Sequence, residues 1–325
     1  MPLDILIGGL LGPAPASLSL PRLERWLARA DIAREPGRDG DAWLARRFGL
    51  EGTPVAAVSL SVDEAPQPGQ WLRADPVYAR IERDTMVLHH AAVLAITPDE
   101  ARALVASLRE LFAGDGLEFH VPRPDRWYVR VPAGELPATT PLSQALGADV
   151  FGRLPRGTGR INWAAALTEA QMLLATHPVN LAREAERRPP VNAVWFWGEG
   201  TLPRDVAPTY RRVFADSPFA AGLAHLSGAA LAPPPRSARE LASGEPALVV
   251  LEEVAAAWAF GDPDAWEAAA RALDESWFAE LGTLVGRFAG VRLILPARAD
   301  TLVATITAAA RWRLCRRARP LAEHA

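Results

Sequence analysis

Three short, nearly continuous apolar runs constrain this chain more than anything else in it: 3–9 (LDILIGG), 247–252 (ALVVLE) and 291–295 (VRLIL). Runs of this length without polar alternation read as strands covered on both faces. The first ends in glycines, so a loop follows it. The stretch 264–288 between the second and third runs has the length of a long helix, and 300–318 reads as a final helix. Strand, helix, strand, helix places parallel neighbours in one sheet.

The chain opens in a related way. Pro21 to Ala30 sets Leu23, Trp26, Leu27 and Ala30 at helical spacing with proline in the first turn. A second short helix is expected over Asp41–Phe48, and 55–62 (VAAVSLSV) reads as a strand. Both ends therefore predict one α/β domain, residues 1–71 and 201–325, with a parallel sheet and helices on both faces. Between them, 72–200 reads as an inserted α+β module. It has strand-like pieces at 77–82, 86–89, 92–96, 117–121 and 127–131 around one helix. That helix starts at Thr97-Pro98-Asp99-Glu100, a capping box, and shows an apolar face of Ala101, Leu104, Val105, Leu108, Leu111 and Phe112. Segments 64–70 and 229–246, the latter with Pro233–Pro235 and Gly244, read as connectors.

Composition removes several function classes. The formal charge of -3 gives no global field toward nucleic acid or membrane. All 35 basic residues are arginine, which excludes lysine Schiff-base chemistry and leaves groups suited to forked recognition of phosphate. Cys315 is the only cysteine, so neither an internal disulfide nor a thiolate metal cluster is available. No run reaches the roughly 18 apolar residues of a membrane span, and no basic segment followed by a long apolar stretch opens the chain. A cytoplasmic protein is expected.

The stretch 171–200 (QMLLATHPVNLAREAERRPPVNAVWFWGEG) concentrates rare side chains. His177-Pro178-Val179-Asn180, Arg183 and Asn192-Ala193-Val194-Trp195-Phe196-Trp197-Gly198-Glu199-Gly200 follow an ordered H-P-x-N…N-x-x-W-x-W-G-x-G pattern. This pattern, with the TPDEA helix and the RWYVR strand before it, resembles the archaeal-type cofactor-independent phosphoglycerate mutases of the alkaline phosphatase superfamily. With Arg160-Ile161-Asn162-Trp163, it is most similar to an RpfE-type bacterial regulatory branch. The resemblance implies an alkaline-phosphatase-like fold with an inserted substrate-binding domain. In that superfamily two divalent metals, held by Asp and His, serve a Ser or Thr nucleophile. Two cations about 3.5–4 Å apart clamp the attacking and leaving oxygens of phosphoryl transfer.

Those ligands are missing where the resemblance puts them. Gly8 stands at the position of the first-strand Asp. Leu20-Pro21-Arg22-Leu23-Glu24 keeps the family's helix start without its Asn. After the late strand, Glu253-Val254-Ala255-Ala256-Ala257-Trp258-Ala259-Phe260-Gly261-Asp262 keeps only the closing Gly-Asp. Ala297-Arg298-Ala299-Asp300-Thr301 has no His. None of His89, His90, His120, His177, His225 and His324 lies in the two late segments. His89 and His90 project to opposite strand faces and cannot share one metal undistorted.

The expectation is a protein without catalytic residue, metal or cofactor, with a regulatory or small-anion-binding role. The resemblance offers Arg160, His177, Asn180, Arg183, Asn192, Gly198 and Gly200 as ligand contacts. Each has a structural alternative. His177 ends a helix running from Asn162 to about Thr176, because Pro178 disfavours helix before it. Asn180 suits an N-cap with Arg183 and Glu184 in the first turn. Asn192 suits a turn, and Arg183, Arg187 and Arg188 a solvated face. Trp195 and Trp197 share a strand face with Val191 and Ala193, opposite Val194 and Phe196, as in a buried strand. Asp262 and Asp264 suit a helix N-terminus, and the arginines of 311–319 a helix C-terminus. The alternatives are an active metal-dependent mutase or phosphatase with relocated ligands, and a scaffold whose exposed Trp or Arg cluster binds a protein. A phosphorylated small molecule or a protein is the expected partner, not nucleic acid or membrane.

Overall fold

The computed structural model describes residues 2–12, 18–65, 67–82, 85–146, 149–241, 245–259, 261–313 and 315–324. Gly244, Phe260, Leu314 and one residue of the 64–70 connector, Pro66, lie outside the described residues. The chain forms two compact units, one of residues 1–51, 205–258 and 262–325, the other of 52–204 and 259–261.

The first unit starts with β1 (Leu3–Ile7), α1 (Pro21–Arg29), β2 (Asp31–Pro36) and α2 (Gly40–Arg47). The second opens with α3 (Val55–Asp63), β3 (Gln70–Glu82), β4 (Thr85–His89) and α4 (Pro98–Leu111). It continues through β5 (Glu118–Arg123), β6 (Arg126–Val131), α5 (Leu142–Ala145), α6 (Trp163–Ala175), α7 (Pro178–Ala185) and β7 (Ala193–Gly200). The chain then returns with β8 (Arg212–Phe214), α8 (Pro218–Ser227), β9 (Ala230–Ala232) and β10 (Ala247–Leu251). It ends with α9 (Glu253–Ala259), α10 (Pro263–Ser276), α11 (Leu281–Arg287), β11 (Val291–Pro296) and β12 (Asp300–Ile306).

The three apolar runs become β1, β10 and β11, adjacent and parallel at the centre of a seven-stranded sheet ordered β2-β12-β11-β1-β10-β8-β9. β8 and β9 continue the parallel set, while β12 and β2 add an antiparallel edge. Every residue of β1 is buried. Leu3, Ile5 and Ile7 join a core with α1, α10 and α11. The charged exception is Asp4, with no exposed surface. Its carboxylate accepts from Arg292 Nε at 2.6 Å and from Arg292 Nη2 and the Tyr210 hydroxyl. This pairing offsets the several kcal/mol that a bare buried ion costs.

Four sequence expectations are corrected. Residues 55–62 form a helix, α3; a continuous apolar run fits either element, and small Ala56 and Ala57 let a helix lie close on Trp71 and Tyr128. Residues 300–318 are not a helix. Leu302, Ala304 and Ile306 point alternately into the core as strand β12, and a 3-10 turn follows at Ala308–Trp312. The stretch 264–288 divides at Phe278–Glu280 into α10 and α11. Residues 92–96 are not a strand but close a 3-10 turn at Ala91–Leu94. The edge strand β2 gave no apolar signal, because its residues are almost all exposed.

The second unit is an antiparallel sheet, β4-β3-β6-β5, with β7 added to β3. Its core holds α4 and α6 against the sheet through Phe112, Phe119, Trp127, Trp163 and Phe196. The capping box starts α4: Thr97 accepts from Glu100 N, and Glu100 accepts from Thr97 N at 2.8 Å. Ala193 and Trp195 face one cluster with Trp197 against it, and Val194 and Phe196 the other, as alternation requires; Val191 sits with the latter pair. Among the described residues no helix is long and apolar enough to cross a membrane.

α3 approaches β7 at its glycines. A Cβ on Gly200, where φ is 157°, would meet Pro54 Cβ at 2.5 Å, and one on Gly198 would meet Val55 Cβ at 2.9 Å. Gly200→Ala should therefore lower stability by about 2 kcal/mol or more through overpacking and backbone strain. Gly114→Ala, in open space, should stay within about 1 kcal/mol. Urea denaturation of both variants checks this.

Candidate functional site

In an open parallel sheet, ligands collect beyond the carboxyl ends of the strands. Ile7 pairs with Leu251 and Leu6 with Ile294, so Gly8, Glu252 and Ala297 emerge along one edge. At Gly8 and Gly9 that edge is closed. Gly9 is left-handed at φ 75°, and a Cβ there would lie 2.9 Å from Ala255 Cα, the backbone of α9. A Cβ on Gly8 would touch the Ala255 methyl at 3.4 Å. Trp266 Nε1 donates to Gly9 O at 3.0 Å, and Leu10 and Leu11 are fully buried. At the third position Ala297 N donates to Asp300 O at 2.8 Å, so Ala297–Asp300 is the tight turn between β11 and β12.

The carboxylates left at this edge are Glu252, Glu253 and Asp216. Enclosure by neighbouring atoms, then Asp216 and Glu253, push the Glu252 carboxyl up to about 7. The residue still exposes a substantial face to water, which screens that repulsion. Among the described residues, no group of three or more His, Cys, Asp or Glu side chains is placed to hold a metal ion.

The residues of the 171–200 motif gather in the second unit, with their polar atoms turned to their own backbone. His177, not Asn180, is the N-cap of α7. Its Nδ1 accepts from Val179 N at 3.2 Å and its Nε2 lies 3.2 Å from Ser107 Oγ. Asn180 is instead one turn inside, fully buried. Its amide donates to Leu174 O and Val191 O at 2.8 and 2.9 Å and accepts from Val191 N at 2.8 Å. Arg183 is not on a solvated face but 1% exposed. Nε donates to Pro189 O, Nη1 to Glu100 at 2.9 Å and Nη2 to Leu94 O. Arg188 pairs with the same glutamate. Asn192 brackets Ala79, accepting from its N at 2.7 Å and donating to its O at 2.9 Å. Arg160 stands apart on the surface, 3.4 Å from Glu135. Gly198 and Gly200 are where α3 comes close, and Glu199 holds Thr139.

Sequence reading missed the polar network beside them. Arg73 and Asp75, two apart on β3, face away from Leu72 and Ala74 and are both buried. Arg73 lies between the Tyr128 and Trp197 rings, its guanidinium carbon 5.2 and 5.5 Å from their centroids. Its Nε and Nη2 donate to Asp75 Oδ1, while Trp197 Nε1 donates to Asp75 Oδ2 at 2.7 Å. Tyr128 donates to Asp63 at 2.6 Å, and Arg126 pairs with the same carboxylate. Burial, the Asp63 hydrogen bond and its charge push the Tyr128 phenol up, against the pull of Arg73. The signal was present in W-L-R-A-D, where charges alternate with apolar residues on one strand.

No family model matches the chain. Over 151 residues it is 30% identical to the 2,3-bisphosphoglycerate-independent phosphoglycerate mutase of Methanosarcina mazei, covering 44% of this chain and 38% of that protein. Over 153 residues it is 26% identical to a probable enzyme of the same description from Geobacter sulfurreducens, covering 47% of this chain and 38% of that one. The matched stretch is thus well under half of either relative. A solved Pyrococcus horikoshii protein superposes with a TM-score of 0.51 at 11% identity, covering 94% of this chain and 87% of that one. The chain is therefore similar, at low identity, to cofactor-independent phosphoglycerate mutases. Its fold is the expected α/β class, a parallel-rich alkaline-phosphatase-like sheet.

Two predictions follow from the α7 contacts. Arg183→Lys should lower stability by about 2 kcal/mol, since one ammonium cannot replace the three donors aimed at Glu100, Pro189 O and Leu94 O, while Arg188 keeps its pairing with Glu100. Burial lowers the His177 pKa, so the unfolded chain binds that proton more tightly than the folded one. The cap's contribution is then complete above the ordinary histidine range and fades as pH falls below it. His177→Ala should cost about 1 kcal/mol at pH 8 and clearly less at pH 5, measured by urea denaturation at both.

Proposed function

We propose that this protein is a non-catalytic relative of the cofactor-independent phosphoglycerate mutases, with a regulatory or small-anion-binding role in place of phosphoryl transfer. One observation carries the reading: Ala255 and Trp266 close the sheet edge over Gly8 and Gly9. Two-metal chemistry needs hard ligands converging on open space at that edge. Here position 9 admits no side chain, and position 8 looks onto a methyl group. The finer assignment, to the RpfE-type regulatory branch, is supported by the RINW, HPVN and NAVWFWGEG segments.

The anion-binding half of the reading now rests on different groups. Asn180, Arg183 and Asn192 spend their hydrogen bonds on the fold. Exposed Arg160 and the Arg73 guanidinium, held between the Tyr128 and Trp197 rings, are the arginines proposed to meet a phosphate, for which a guanidinium is well shaped.

A second reading, an active metal-dependent mutase or phosphatase with relocated ligands, is favoured by one feature: Glu252, Glu253 and Asp216 crowd the same edge closely enough to disturb Glu252. Assay of 2- and 3-phosphoglycerate interconversion with added Mn²⁺ or Co²⁺ separates the two. The proposal expects no turnover above buffer; turnover abolished by chelator and by Glu252→Gln would establish the second reading. Calorimetry with 3-phosphoglycerate tests the ligand. Binding weakened by Arg73→Met supports a phosphate site, and no heat removes that half and leaves a protein-directed role.

A further inference from the structure

β2 is the last strand of the seven-stranded sheet. All six of its residues pair with β12 on one side, and among the described residues no strand pairs on the other. An antiparallel strand turns the backbone groups of alternate residues outward, so β2 offers a free ladder. Pairing of Ile32 with Ala304 and Arg34 with Leu302 puts both side chains on the α1 face, because paired residues share a face. There they border a groove of about 1130 Å³, walled by the end of α1 and by residues 316–324.

The groove is basic in a chain of net charge -3. Arg34, Arg316, Arg317 and Arg319 line it, against Asp31 and Glu323. Arg34 is held by Asp300 and His324 O, and Arg316 by Ala30 O. Exposed Arg317 and Arg319 have no hydrogen bond or ion pair among the described residues. Ile32, 41% exposed, adds an apolar step beside them.

We propose that the β2 edge and this groove form a docking site for an extended acidic segment of a partner protein, added to the sheet as a strand. Main-chain hydrogen bonds to β2 supply affinity, and alternate side chains supply selectivity. Every second side chain of the added strand faces the groove, so acidic residues spaced two apart meet Arg317 and Arg319. A second copy of β2 fits poorly, since it brings another Arg34 to the same arginines. Edge charges and Pro36 also guard against indiscriminate pairing; the unmatched basic excess selects an acidic strand among the candidates. This inference does not depend on whether the distant sheet edge at Gly8 is catalytic.

A fluorescein-labelled heptapeptide of alternating Glu and Thr, followed by anisotropy with the full chain at low salt, tests it. Saturable binding is expected, weakened about tenfold or more in Arg317→Glu/Arg319→Glu, and by a similar factor when alternate peptide amides are N-methylated. Both substituted arginines are exposed and unpartnered, and circular dichroism confirms that the variant stays folded. No binding overturns the proposal. Binding that senses the arginines but not N-methylation also overturns it, identifying a general anion site that inositol hexakisphosphate or single-stranded nucleic acid would fill equally well.

Discussion

A carboxylate with no exposed surface sits in the central strand of the parallel sheet, and the first unit is organised around neutralising it. Asp4 draws Arg292 from β11, Tyr210 from the segment that re-enters the unit before β8, and more distantly Arg47 from α2, 3.6 Å away. Removing a partner would leave an uncompensated buried charge, a loss of about 3–5 kcal/mol. The network therefore pins β1 between its parallel neighbours and ties chain segments far apart in sequence. With β1 fixed, the Gly8–Gly9 turn is delivered to the carboxyl edge, where α9 and Trp266 close over it.

Two glycine pairs, Gly8–Gly9 and Gly198–Gly200, obey the same rule. Gly8–Gly9 lets α9 approach β1, and Gly198 with Gly200 lets α3 approach β7. In both places the absent Cβ is used for packing between backbone segments. The G-x-G at the end of β7 is therefore explained by helix–sheet contact. Asn180, Arg183 and Asn192 repeat the theme, each a polar side chain replacing a missing backbone partner at a chain reversal.

Where burial follows periodicity, the sequence was readable. LDILI, ALVVL and VRLIL became the adjacent parallel strands, and Thr97-Pro98-Asp99-Glu100 became a complete capping box. Reading failed where local pattern and environment disagree. VAAVSLSV carries strand-like valines yet is a helix, because small alanines suit a close helix–sheet contact that only the tertiary fold reveals. Residues 300–306 carry no pattern that separates them from the segment after them, since the turn at Ala297–Asp300 depends on a backbone hydrogen bond with no side-chain signature. The closely packed turn after β1 was legible as the Gly8-Gly9 pair that ends the first apolar run. The destinations of Asn180 and Arg183 were not, because their partners include backbone groups whose positions only the fold sets. Arg73–Asp75 shows in the sequence only as charge alternating with apolar residues, a pattern that an exposed strand face shares.

Under the proposed function, packing closes the carboxyl edge at Gly8–Gly9 and no two-metal centre assembles there. Isothermal titration of the full chain with Mn²⁺ at neutral pH, paired with metal analysis of protein purified without chelator, addresses it most directly. The account predicts no stoichiometric metal and no saturable heat. Two equivalents of divalent ion, lost together on substitution of Glu252 or Asp216, would contradict it.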